Sequence, residues 1–112
     1  MQAIGGVSKK MEKTAEQQPA VASVLPSDAT LKYAAKLSIE QDKPIMMDYW
    51  KISLDGTAII GVRETNEKLL IRSEEEYTST ISKVFKSNKE YVVVTENSIY
   101  LVSGNIESRR IS

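Results

Sequence analysis

Between Asp28 and Gln41 the apolar residues recur at intervals near four. Leu31, Ala34, Ala35 and Ile39 share one side with Leu37 beside them, and Lys32, Lys36 and Glu40 space the polar side. This period predicts an amphipathic helix. Ser27 stands where a side-chain oxygen caps the exposed N–H groups of a first turn, and Asp28 complements the helix dipole there. Pro44 disfavours helical geometry at Lys43, which ends the helix near Asp42 and defines a helical unit over 27–42.

From Ile45 the period changes to β-rich runs broken by turn residues. Six strands are predicted, over Ile45–Leu54, Ala58–Arg63, Lys68–Arg72, Ile81–Lys86, Tyr91–Thr95 and Ser98–Ser103. Asp55-Gly56 reads as a two-residue hairpin turn, with Thr65-Asn66, Ser87-Asn88-Lys89 and Glu96-Asn97 as further turns. Ser73 to Thr78 is acidic and irregular, and Ser73 followed by Glu76 fits a capping box for one helical turn. The unbroken run Tyr91-Val92-Val93-Val94 predicts a central strand covered on both faces, with the helix as one cover. The expected fold is mainly β with one N-terminal helix. A six-strand antiparallel meander forms a small barrel or strongly twisted sheet over 43–104.

The flanks carry another composition. Residues 1–26 mix glycine, lysine, glutamate and glutamine with small side chains, too little apolar area to offset the entropy of ordering, and predict a flexible arm. Were that arm to order against a partner, Val21, Val24 and Leu25, with Ala20, would anchor it. Residues 105–112 are polar, with Arg109 and Arg110, and read as a mobile tail.

Charge and chemistry narrow the function classes. The 15 basic and 15 acidic residues balance over 112 positions, so no bulk field draws the chain to nucleic acid or to an anionic membrane. Cysteine and histidine are absent, which excludes disulfides, Cys/His zinc sites, thiol nucleophiles and the commonest general base. A cysteine-free chain fits a reducing compartment. Met1 to Lys10 holds no apolar run of secretory length, no segment nears the ~20 apolar residues of a membrane span, and no Asn-x-Ser/Thr sequon occurs. The expectation is a protein that is neither secreted nor membrane-spanning.

Glu74-Glu75-Glu76 suggests a divalent-cation site, but consecutive side chains point in different directions and do not converge on an ion, so a solvated acidic loop is expected. Gly5-Gly6 lacks the Gly-Lys-Ser/Thr of a phosphate loop, no serine sits in a Gly-x-Ser-x-Gly elbow, and Ser82-Lys83 would face opposite sides of a strand. No catalytic, cofactor-binding or metal-binding residue is assigned, and a non-enzyme is expected. The aromatics Tyr49, Trp50, Tyr77, Phe85, Tyr91 and Tyr100 would stack bases in a single-strand binder, though such sites pair stacking with a basic groove and a small core needs aromatics for packing. Tyr49 and Trp50 are the candidate partner contacts, on the condition that Trp50 is exposed beside Tyr49.

Several stretches also carry a family resemblance. Asp42-Lys43-Pro44-Ile45 with Asp48-Tyr49-Trp50, the block Ser73-Glu74-Glu75-Glu76-Tyr77-Thr78-Ser79, and Thr95-Glu96-Asn97-Ser98-Ile99-Tyr100 are similar to recurring text in small proteins of nucleocytoplasmic large DNA viruses, such as those infecting algae. The resemblance spans about Leu31 to Ser103, with Thr80 where that pattern has proline. It implies a virus-encoded protein, and for a small non-enzymatic member a minor capsid or virion component with capsid subunits as partners. The implied location is the virion or the host cytoplasm of the virus factory. The rival class is a nucleic-acid-binding or regulatory accessory protein using a small β-barrel surface.

Overall fold

The computed structural model describes residues 24–111, so most of the expected arm, Val21 included, lies outside the described residues. Helix α1 spans Asp28–Gln41. The Ser27 hydroxyl oxygen accepts the Thr30 N–H at 3.3 Å, as a capping serine should. Asp42 closes the helix in the left-handed region at φ 54, and the Ser38 hydroxyl donates to the Lys43 carbonyl at 2.6 Å. The buried stripe is Thr30, Ala34 and Leu37, whereas Ile39, expected near it, is 82% exposed. Thr30 belongs inside because its hydroxyl lies against the Glu90 carboxylate and Ser87. Glu90 also accepts from the Ser27 N–H, which ties the start of α1 to the hairpin of Ser87-Asn88-Lys89.

Strand β1 is only Ile45–Met46, and Trp50–Asp55 is a short helix, α2. The expected strand over Ile45–Leu54 is therefore corrected. Tyr49, Trp50 and Ser53 are buried at one-three-four spacing, the period of a helix face, while Lys51 and Asp55 pair outside at 3.1 Å. Asp55-Gly56 is not a hairpin turn. Gly56, at φ 80, ends α2 in the left-handed conformation with its N–H on the Ile52 carbonyl.

The remaining strands are β2 Ile59–Val62, β3 Lys68–Ile71, β4 Ile81–Ser87, β5 Glu90–Thr95, β6 Ile99–Ser103 and β7 Glu107–Arg110. They form a four-stranded sheet ordered β1-β6-β5-β4 and a three-stranded sheet ordered β3-β2-β7. The fold is mainly β, but it is neither a closed barrel nor a purely antiparallel meander. β1 runs parallel to β6, and β7 parallel to β2. The hairpins at Thr65-Asn66, Ser87-Asn88-Lys89 and Glu96-Asn97 form where expected, with Asn66 at φ 72 and Asn88 at φ 58.

Residues 105–112, expected as a mobile tail, contribute β7. Its side chains are all exposed and none of Glu107-Ser108-Arg109-Arg110 is apolar, so no hydrophobic alternation marked it. Main-chain pairing to β2 holds it in place.

Three layers result. Ala34 and Leu37 of α1 pack with Trp50 on Val92, Val94, Ile99 and Leu101, while Val93 and Val102 face the other way onto Ala58, Ile60, Leu70 and Tyr49. Central strand β5 is thus covered on both faces, as its continuous valine run predicted. α2 guards β6 beyond the end of β1, where Ser53 Oγ accepts the Ser103 N–H at 2.8 Å.

Candidate interaction face

The second sheet packs its inner face on the first and turns its outer face away. Pairing of Gly61 with Leu69 and Arg109, and of Ile59 with Ile71 and Glu107, places these residues on the same outer side. Gly61 lies beneath two isoleucines: a Cβ there would collide with Ile71 Cδ1 and stand 3.0 Å from Ile111 Cδ1. The missing side chain lets both lean across β2 and make an aliphatic floor. Ile59 and Leu69 extend that floor into a groove of about 750 Å³.

Its rim is charged and unevenly so. Arg63, Arg72 and Arg109 line it against one carboxylate, Glu74, in a chain whose net charge is zero. Arg72 is fixed in place, with Nε 3.3 Å from Glu76 Oε1 and its guanidinium 5.7 Å from the centre of the Tyr49 ring. Arg109 Nη2 pairs with Glu107 Oε1 at 2.7 Å on the exposed surface. Arg110 Nη1 donates to the Arg63 carbonyl at 3.2 Å, while among the described residues no carboxylate pairs with Arg63. Tyr77, 55% exposed, and Ile111, 38% exposed, give the groove accessible apolar surface.

Tyr49 and Trp50, the predicted partner contacts, are 4% and 6% exposed. The exposure that would have made them a partner face is not met, because α2 turns both inward, Tyr49 to one core cluster and Trp50 to the other. Tyr49 stacks edge-to-face on Tyr100 at 5.3 Å. Burial first, then the neighbouring Tyr100, pushes its phenol up to about 12, with Arg72 opposing. Burial and then Asp48 raise Tyr100 as well. Trp50 Nε1 donates to the Val24 carbonyl at 2.7 Å, so the first described residues cross the indole. Val24 and Leu25 stay exposed at 39% and 72%, away from the groove.

The acidic triplet separates in space. Glu74 is on the groove rim and Glu76 holds Arg72, while the Ser73 hydroxyl accepts from the N–H groups of Glu75 and Glu76 without starting a helix. Among the described residues no three potential metal ligands converge, and no helix is long and apolar enough to cross a membrane.

Arginine stays charged throughout the physiological range. The groove therefore offers fixed positive charge around an aliphatic floor, an arrangement suited to binding. Sequence reasoning missed it because its strands lie apart along the chain. The exposed Tyr77 and the Arg109-Arg110 pair were the only local signals. No family model matches the chain, and neither a curated protein nor a solved structure matches it significantly.

Proposed function

We propose that this chain is a non-enzymatic structural or assembly protein that acts through protein–protein contacts, with the outer groove of the three-stranded sheet as its contact face. The groove carries the reading: aliphatic surface ringed by arginines is the composition of an interface core and its polar rim. In this reading the chain makes that contact in a virus particle, as a minor capsid or virion component assembled in the virus factory of the host cytoplasm; its support is the resemblance of the sequence to small proteins of large DNA viruses.

Absence of cysteine makes the test direct, since one introduced thiol is the only one in the chain. A photo-crosslinker on Ser73→Cys at the groove rim should capture a neighbouring particle protein. The same reagent on Ala35→Cys, on the exposed side of α1, should not. Production in infected cells with absence from purified particles would sink the virion assignment.

One observation favours a second reading. Tyr77 beside Arg63, Arg72 and Arg109 combines a stacking surface with positive charge, as single-strand binders do. A gel shift at low salt that weakens as salt rises would support nucleic-acid binding, and no shift at low salt removes it.

A further inference from the structure

The two outer edges of the three-stranded sheet differ. At β3 the edge is occupied: Arg72 N–H donates to the Glu76 carbonyl at 3.0 Å, and Thr78 N–H to the Leu70 carbonyl at 2.9 Å. The Thr78 hydroxyl oxygen takes the Leu70 N–H at 3.1 Å, and Tyr77 bridges to Ile71. β7, by contrast, pairs only with β2 among the described residues. Ile111 N–H donates to the Val62 carbonyl at 2.9 Å, and the period of two along a strand turns the peptide groups of Ser108 and Arg110 to the open side. A strand edge with free N–H and C=O groups is a template for another extended chain.

We infer that the open edge of β7 takes an extended acidic segment of a partner protein as an added strand, which continues the sheet and sets carboxylates on the outer face against Arg109 and Arg63. This rests on the proposal that the outer face is the contact face. The occupant follows from complementarity. Paired donors and acceptors of the main chain match a peptide backbone, which nucleic acid lacks. The rim and edge hold Arg63, Arg72, Arg109 and Arg110 against Glu74, Glu76 and Glu107. Glu76 pairs with Arg72 and Glu107 with Arg109, while among the described residues neither Arg63 nor Arg110 has a carboxylate partner, so the added segment is acidic. A second copy of β7 brings two arginines to one glutamate and meets like charge. Residues 1–23 carry Lys9, Lys10 and Lys13 against Glu12 and Glu16, and do not complement the edge either.

The test uses the full chain labelled with nitrogen-15 and the blocked hexapeptide Val-Glu-Val-Glu-Val-Glu, with the lysine analogue as control. The acidic peptide should shift the Ser108 and Arg110 amide resonances and slow their hydrogen exchange, while the basic one leaves them in place. Ser108→Pro removes a donor that faces away from β2, a position where an edge strand tolerates proline, and should weaken binding about tenfold or more. Should that variant not fold, a peptide N-methylated at alternate residues, which blocks one bonding edge, should lose binding to the unaltered chain by the same factor.

Equal affinity for both peptides, unmoved Ser108 and Arg110 amides, or undiminished binding by Ser108→Pro would overturn the inference. So would preference for a thymidine oligonucleotide, or dimerisation of the free chain through β7. Failure here with continued crosslinking from Ser73→Cys removes only the added strand. Loss of that crosslinking removes the contact face itself.

Discussion

The four-stranded and three-stranded sheets share one interface and differ in what lies on their far sides. α1 covers the first, so β5 and β6 are buried on both faces, whereas nothing among the described residues covers the second, whose far face is the arginine-rimmed groove. A sheet face sealed by a helix is committed to stability. A face left with Ile71, Ile111 and Tyr77 over a buried glycine keeps apolar surface available for binding.

The contrast breaks most readily at Leu101, which is fully buried under α1. Leu101→Ala should lower stability by about 2–5 kcal/mol in denaturant unfolding, against about 1 kcal/mol for Ile71→Ala on the open face. Equal losses would mean that the groove floor is core. Removing the Glu90 carboxylate leaves the Ser27 N–H without its partner and takes from the Thr30 hydroxyl its charged acceptor, with Ser87 remaining, so Glu90→Ala should cost about 1–3 kcal/mol and loosen α1 from its sheet. Hydrogen exchange along α1 should then quicken while β2 and β3 hold.

Gly56→Ala tests the end of α2. Space is open around a Cβ there, so only the left-handed backbone resists, at about 1 kcal/mol by thermal unfolding.

Tyr49, at the joint between the sheets, sharpens the comparison through pH. Its phenol titrates near 12 in the fold and near 10 when unfolded, so the fold favours the neutral form. The stability this contributes is complete below pH 10 and is lost as pH rises from 10 through 12. Tyr49→Phe should flatten the alkaline fall, and an unchanged profile would place the sensitivity elsewhere. The smallest effect is at the rim: Arg63→Ala should change stability by no more than about 0.5 kcal/mol, yet weaken capture of the partner.

What was legible in the sequence follows the range of the interaction. α1 ran over Asp28–Gln41 as its period and its Ser27 cap indicated, and the hairpin turns at Asn66 and Asn88 formed where short polar residues tolerate positive φ. The Val92-Val93-Val94 run announced a strand buried on both sides. Local pattern misled at Tyr49-Trp50, where large aromatics in a β-rich stretch read as a strand and an exposed patch. Ser53, buried through its bonds to the Trp50 carbonyl and the Ser103 N–H, helped make that stretch a helix.

The groove was illegible for a different reason. It depends on β7, whose four residues bear no apolar side chain and become a strand only because β2 supplies the main-chain partners. The sequence by itself determined the first helix, most hairpin strands and the doubly buried centre, since period, caps and turn residues act over a few positions. Tertiary structure alone decided that the sheet splits in two, that Asp55-Gly56 ends a helix, and that Arg63, Arg72 and Arg109 meet around one floor. Those outcomes rest on pairings between distant segments, which no local pattern encodes.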